Sequence, residues 1–153
     1  MKNILHNDTR KFWQLRSKLL DSPNHFFRHI WLSKMYAIER KYNCTIPLQS
    51  KLCDSIILPH GLMGIFISKG AVVGERCTVF QQVTIGSNLI EGSKHYGSPT
   101  IGDDVFIGAN ATIIGGVKIV NRVKIGAGCT VFEDIPDDAT VVCGKPRVIF
   151  HNK

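Results

Sequence analysis

Two histidines lie where the regular pattern of this chain is interrupted, and histidine is well suited to accept a proton near neutral pH. The six histidines of the chain are His6, His25, His29, His60, His95 and His151. Only His60 and His95 fall at breaks within the repetitive part of the sequence. We therefore expect these two to form a functional pair. Two histidines are too few for a three-histidine zinc site, so no metal is expected.

The pattern that these histidines interrupt has a period of six residues. Its longest unbroken run of leading apolar residues is Ile101, Ile107, Ile113, Ile119, Ile125 and Val131, and glycine follows the leading residue at Gly74, Gly86, Gly102, Gly108 and Gly126. A small or apolar residue recurs four places after each leading residue. This period fits neither an α-helix nor an alternating strand, but it fits a coil of three flat faces with one hexad per face. Glycine, Asn or Asp at the corners would permit positive φ.

The fold predicted from this period is mainly β, a parallel β-helix of hexapeptide repeats over residues 44–150. Residues 1–43 precede it as a short N-terminal helical segment, because apolar residues recur there every three to four positions. The repeat slips by three residues between Leu58 and Ile67, next to His60. Between Ile85 and Ile101 it is displaced by ten extra residues, within an excursion over 87–100 that contains His95. Loops on a rigid scaffold commonly carry function.

Composition limits the partners that this chain could take. Lys plus Arg total 19 and Asp plus Glu total 12 in 153 residues, and this net charge of +7 favours an anionic ligand. Charge alone does not predict nucleic-acid binding, since no groove-reading motif accompanies it. No apolar run could span a membrane, and Met1 to Arg10 has no secretory h-region, so we expect a cytoplasmic protein.

The sequence also predicts where the cysteines and the outward-facing apolar residues lie in this fold. Five cysteines without a CxxC pair predict buried, small apolar residues in a reducing compartment. Outward positions of the β-helix include Phe80, Phe106, Ile114 and Phe132. Burial of such side chains against further copies of the chain would remove them from water, so we expect a homo-oligomer.

Four stretches of this sequence resemble a known family. They are Leu58-Pro59-His60-Gly61, then Ile65 to Gly74, then Gln82-Val83-Thr84-Ile85-Gly86, then His95 with Pro99-Thr100-Ile101-Gly102. They look like the hexapeptide-repeat acyltransferases of the serine acetyltransferase type, and most like the short relatives that acetylate capsular and exopolysaccharide sugars. The resemblance implies a left-handed coil, a homotrimer with active sites between subunits, and acetyl-CoA as co-substrate.

The resemblance also implies roles for individual residues. His60 would be the general base, and His95 would orient the acceptor or stabilise developing charge. The pantetheine arm of coenzyme A would run past Gly86, Ala109 and Ala127. Basic side chains near the C-terminal end could meet its phosphates, namely Lys124, Lys145 and Arg147.

The acceptor is predicted from departures from the serine acetyltransferase pattern. Thr45 stands where those enzymes pair an aspartate with the base, Pro59 replaces an acidic residue, and Lys94 replaces an arginine. We therefore expect acetyl transfer to a sugar or polysaccharide hydroxyl. Serine O-acetylation for cysteine biosynthesis is one alternative, and a non-catalytic β-helix for assembly or binding is another. A backbone carbonyl, Asp54 or a carboxylate of another subunit could orient His60.

Overall fold

Two helices followed by a coil of short parallel strands make up the chain in the computed structural model, which describes residues 2–21, 25–145 and 147–149. Helices α1 and α2 span Lys2–Asp21 and His25–Tyr42. The strands are β1 Lys51–Leu52, β2 Phe66–Ile67, β3 Val72–Val73, β4 Thr78–Val79, β5 Thr84–Gly86, β6 Thr100–Ile101, β7 Phe106–Ile107, β8 Thr112–Ile114, β9 Lys118–Ile119, β10 Lys124–Ile125, β11 Thr130–Val131 and β12 Thr140–Val141. Neither described helix is long and apolar enough to cross a membrane.

The strands stack into three four-stranded parallel sheets, which we number as faces of a prism. Face 1 contains β2, β5, β8 and β11; face 2 contains β1, β3, β6 and β9; face 3 contains β4, β7, β10 and β12. The chain visits faces 1, 2 and 3 in turn. Residues 18 apart are paired in the regular coils, as in Thr112 with Thr130, and residues 16 apart at the C-terminal end, as in Lys124 with Thr140. Single bridges at Thr45, Ile57 and Ile135 extend the faces at both ends. The predicted β-helix of hexapeptide repeats is confirmed.

The interior of the prism consists of the residues that the six-residue period places there. Ile85, Ile107, Ile113 and Ile125 are fully buried, and the residues four places after a leading position, such as Val83, are buried with them. Each buried isoleucine contributes about 1.5–3 kcal/mol relative to an exposed one. The hexads therefore produce the fold by filling a narrow core, coil upon coil.

Gly74, Gly102 and Gly108, which follow leading residues, are needed for a different reason from the one predicted. Positive φ occurs at the corners, but at Arg76, Gln82 and Arg122 as well as at Asp and Asn residues. Gly108 itself is not among the residues with positive φ. A Cβ at Gly108 would lie 2.6 Å from the backbone nitrogen of Ala127 in the next coil. The close stacking of coils, and not backbone strain, therefore requires glycine there.

The helical hairpin closes the N-terminal end of the prism. The guanidinium of Arg16 is buried and donates to the carbonyl oxygens of Pro47 at 2.8 Å and Ser50 at 2.6 Å. Glu39 in α2 accepts a hydrogen bond from the Ile46 backbone nitrogen at 2.9 Å. Burial lowers the pKa of Arg16 and raises the pKa of Glu39. The two buried charges thus fix the hairpin over the first coil, where a repeat protein needs a cap.

Candidate functional site

Three of the predicted site residues lie on one edge of the prism, where face 3 turns into face 1. This His60 edge consists of residues 58–65, 80–83, 108–111 and 126–129, which stack through backbone hydrogen bonds such as Gln82 N to Met63 O and Gly128 N to Ala109 O. His60 lies in the first of these turns, and Ala109 and Ala127 lie in the third and fourth. The sequence therefore places the candidate base and two candidate cofactor contacts along one line.

The three-residue slip at His60 is a turn that reaches back to the helices. The chain takes nine residues from Ile57, which bridges Thr78, to Phe66, which pairs with Thr84. Gly64 has φ of +64° and donates its N–H to the Tyr42 carbonyl at the end of α2. The extra residues leave His60 exposed at the corner.

His95 lies on a different edge, where face 1 turns into face 2. The excursion leaves after β5 and returns at β6, and Asn88 and Gly97 pair across its neck through two hydrogen bonds of 2.8 Å. The carbonyl of His95 accepts a hydrogen bond from the Gly116 N–H at 2.9 Å. We call residues 86–99 with the underlying 115–117 the loop edge.

The imidazole of His60 packs against an aromatic column. Its ring centroid lies 5.6 Å from that of Phe80, and Phe80 lies 5.1 Å from Phe106. No hydrogen bond from the described residues reaches His60. Asp54, one of the candidates for orienting it, lines a depression together with Trp13 of α1. Ring packing is therefore the contact that the described part of the chain offers the imidazole.

Polar atoms without partners accumulate on these two edges. Among the described residues, the buried side-chain atoms that lack a hydrogen-bond partner are Ser68 Oγ, Gln81 Oε1 and His95 Nε2. Gln81 belongs to the His60 edge, and Ser68 and His95 flank face 1 on its other side. Buried polar atoms are normally paired, so these atoms are places where water or a polar ligand could bind.

A groove of about 650 Å³ on face 1 leads to the loop edge. Phe66, Ser68, Lys69, Gly86 and Leu89 are among the residues that line it. Its size is in the range of small-molecule and cofactor sites, which are mostly apolar with a few polar groups.

The remaining cofactor candidates are divided between several parts of the prism. Gly86 ends β5 at the loop edge, and a Cβ there would meet nothing closer than 3.8 Å, so packing does not require glycine. Lys124 is exposed in β10 on face 3. Lys145 and Arg147 are exposed in the segment after β12. A single chain thus groups His60 with Ala109 and Ala127, and separates them from His95 and Gly86 by the width of face 1.

Sequence reasoning missed several residues on these edges. Gly115 has φ of +93°, and a Cβ there would lie 2.6 Å from the His95 carbonyl oxygen, so the glycine pair 115–116 seats the loop. The sequence contains a signal for this contact. The double glycine Gly115-Gly116 lies one coil after the excursion, and it is not at the position where glycine usually follows a leading residue. Ser68 and Gln81 gave no signal, since polar residues are common at outward corner positions.

Comparison with known proteins first identifies the class. Residues 98–133 match the family described as bacterial transferase hexapeptide (six repeats). The chain is 38% identical over 103 residues to serine acetyltransferase of Synechococcus elongatus, covering 67% of this chain and 41% of the relative. It is 34% identical over 143 residues to that of Bacillus subtilis, covering 94% of this chain and 58% of the relative. The chain spans about half the length of these curated relatives.

Solved structures give the same likeness. Serine acetyltransferase of Neisseria gonorrhoeae in complex with serine superposes with a TM-score of 0.71 and 29% identity, over 91% of this chain and 55% of that one. Isoform 3 from Entamoeba histolytica in complex with cysteine gives 0.67 and 30%, over 82% and 44%. The predicted resemblance is confirmed: the chain is a serine acetyltransferase-like hexapeptide-repeat protein.

These relatives correct the predicted acceptor. The departures at Thr45, Pro59 and Lys94 led to a sugar or polysaccharide of the capsule or exopolysaccharide type, and that prediction is wrong. The named relatives and neighbours are serine acetyltransferases, which favours the alternative of serine. All three departures are exposed residues, so a side chain can change at these positions without disturbing the buried core.

Proposed function

We propose that this chain catalyses acetyl transfer from acetyl-CoA to the hydroxyl of serine, the step that serine acetyltransferases contribute to cysteine biosynthesis. The observation that carries the proposal is 34% identity to the Bacillus subtilis serine acetyltransferase over 94% of this chain. That stretch includes both the His60 edge and the loop edge. The cytoplasmic location expected from the sequence stays a prediction.

His60 is the base of this proposed reaction. Its imidazole takes the proton of the serine hydroxyl while the oxygen attacks the thioester carbonyl, and the proton later passes to the leaving thiolate of coenzyme A. The thioester supplies an activated acyl group, so no covalent enzyme intermediate is needed. His95, whose buried Nε2 has no hydrogen-bond partner among the described residues, would orient the acceptor or donate to the developing oxyanion.

The cofactor contacts follow from the His60 edge. Ala109 and Ala127 lie on the same edge as His60, in its third and fourth turns, and their short side chains would let a pantetheine arm pass close to the prism. Exposed Lys124, Lys145 and Arg147 lie toward the C-terminal end of the prism, where they could meet the phosphates of coenzyme A. The net charge of +7 favours such an anionic co-substrate.

The two edges are complementary if copies of the chain assemble as a homotrimer. The His60 edge of one copy would then face the loop edge of the next, which brings a His60 and a His95 to one cleft. Exposed apolar side chains support an assembly: Leu89 and Ile90 on the loop are 76% and 71% exposed, and Phe66 and Phe132 project from face 1 and its margin.

The test is an acceptor assay with acetyl-CoA and thiol release as the readout. L-serine should be acetylated with turnover well above that on a panel of monosaccharides and oligosaccharides. Threonine and O-methylserine are the matched controls, since they alter or remove the hydroxyl. Release of thiol with sugars but not with serine would refute the proposal, as would the absence of acetyl-CoA-dependent acetylation of any acceptor.

A further inference from the structure

Two cysteines at the C-terminal end of the prism lie within reach of each other. Cys129 ends the fourth turn of the His60 edge, and Cys143 follows β12. Their sulfur atoms are 2.7 Å apart, and no other pair of thiols among the described residues lies in contact. The sequence predicts small buried apolar cysteines, and Cys143 departs from this because it is exposed.

One of the two thiols is exposed and the other is buried, and a disulfide that forms in two steps needs one accessible thiol and one partner thiol beside it. Cys143 is exposed and can meet an oxidant directly, whereas Cys129 is buried behind it. Burial, and then the neighbouring Cys143, raise the pKa of the Cys129 thiol. The first attack on an external disulfide therefore belongs to Cys143, and Cys129 is positioned to resolve the product.

We propose that Cys129 and Cys143 are a modification site. The two cysteines form an intramolecular disulfide with each other when they react with a low-molecular-weight disulfide such as oxidised glutathione. The Cys143 thiolate attacks one sulfur of the oxidant, whose S–S bond breaks, and one glutathione thiol leaves. The Cys129 sulfur then attacks the mixed disulfide at Cys143 and releases the second glutathione thiol. Two protein thiols are oxidised, one oxidised glutathione is reduced, and both thiol protons end on the released glutathiones.

The bond would attach the C-terminal segment to the His60 edge. Residues 142–145 and 147–149 are exposed, and the hydrogen bonds that this described segment makes are those of the Cys143 thiol, one of them to the Ala127 carbonyl at 3.5 Å. Ala127 is a candidate cofactor contact, and Lys145 and Arg147 are the cations that follow. Oxidation would therefore fix the basic segment beside the cofactor edge. This last consequence rests on the proposed function, whereas formation of the bond does not.

The other three cysteines serve as internal controls. Burial raises the pKa of Cys44 to about 12, and Cys77 is buried with its thiol donating to the Gly102 carbonyl. Cys53 is partly exposed and contacts Ser55 Oγ at 3.3 Å, with no second thiol beside it. Cys53 is therefore partly accessible to an oxidant, less so than Cys143, and lacks a resolving partner.

The experiment uses the fully reduced chain, equilibrated with mixtures of reduced and oxidised glutathione and then analysed by intact mass and peptide mapping. The native chain and Cys53→Ser should each lose two hydrogen atoms, gain a Cys129–Cys143 linked peptide, and unfold at a higher temperature until a reductant is added. Cys143→Ser should form no link. Cys129→Ala should retain one glutathione on Cys143, because nothing resolves it.

Two results would overturn the proposal. One is a native chain that keeps a single glutathione on Cys143, as Cys129→Ala does. The other is a native chain that stays fully reduced at every glutathione ratio that oxidises a structural dithiol. Both readings are independent of catalysis, so an inactive chain with a formed disulfide would refute the proposed function and leave this site standing.

Discussion

His60 is the residue on which the proposed chemistry depends, and its replacement gives the most direct test. We expect His60→Ala to lower kcat roughly 100- to 10,000-fold, since general-base catalysis contributes about that much. His29→Ala is the control, because His29 is an exposed histidine of α2 away from both edges. Steady-state thiol release checks both, with circular dichroism to verify the fold. Wild-type turnover in a folded His60→Ala variant would remove the base from the mechanism.

The contact that the described residues offer the His60 imidazole is the ring of Phe80, whose centroid lies 5.6 Å away. Loss of the Phe80 ring should let the imidazole move away from the acceptor, and positioning errors reduce turnover without weakening substrate binding. We expect Phe80→Ala to lower kcat about 3- to 30-fold with little change in KM, and Phe80→Tyr to restore most of it.

A double variant separates positioning from general destabilisation. With His60 already replaced by alanine, Phe80→Ala should cost nothing further, because it acts through the imidazole. An equal loss of kcat in both backgrounds would show that Phe80 acts elsewhere.

The sequence singles out His60 and His95 as candidate functional residues, but it does not predict the side chains that surround them. The two interruptions of the six-residue period can be recognised in the sequence alone, and His60 and His95 lie at them. The contact of His60 with Phe80 joins successive coils. The Oε1 atom of Gln81 has no hydrogen-bond partner because, in the described part of the chain, no donor of a neighbouring coil lies within reach of it. Such relations depend on how coils stack and cannot be read from a period.

Among the elements, the turns of the prism are where glycine matters most. A Cβ at Gly108 would lie within 2.9 Å of backbone atoms of Ile125 and Gly126 as well as of Ala127, and backbone cannot rotate away. We expect Gly108→Ala to reduce the free energy of unfolding by about 1–3 kcal/mol. Gly86→Ala is the matched control and should change it by less than about 0.5 kcal/mol, since its nearest contact is 3.8 Å away. Urea denaturation measures both, and equal effects would refute the stacking argument.

The contact between the two helices has a pH dependence of predictable sign. Asp8 of α1 accepts hydrogen bonds from Lys41 Nζ at 2.6 Å and Tyr42 Oη at 2.8 Å in α2, and these hydrogen bonds lower the pKa of its carboxyl below 3.8. A carboxyl with a lowered pKa stabilises the fold above its unfolded-state value and loses that effect as the pH falls through its folded-state value.

The variant Asp8→Asn should therefore be less stable than the native chain near neutral pH, and the difference should shrink as the pH falls below 3.8. Urea denaturation across this pH range measures it. Glu133→Gln removes an exposed charge that makes no described hydrogen bond and should show no such trend. If the difference in the free energy of unfolding between Asp8→Asn and the native chain stayed constant with pH, protonation of Asp8 would not be what changes the stability.

The architecture of the whole molecule was readable because a six-residue period admits few structures. The six leading residues from Ile101 to Val131 keep the six-residue period, and all six are buried. The acceptor was not readable in the same way. Thr45, Pro59 and Lys94 are exposed, so the six-residue period of buried residues does not constrain which side chains they carry.

The separation of His60 and His95 on two edges leads to a prediction about mixed assemblies. In a cyclic trimer whose sites each take His60 from one copy and His95 from the next, any trimer that mixes His60→Ala and His95→Ala chains has one intact site of three. Random assembly of equal amounts makes three quarters of the trimers mixed, so activity should recover to roughly one quarter of the native value. Each variant alone should stay inactive. Reassembly from dilute denaturant followed by thiol-release assays measures the recovery, and size-exclusion chromatography with light scattering verifies the trimer. A trimer that forms and regains no activity would mean that both histidines must come from the same copy.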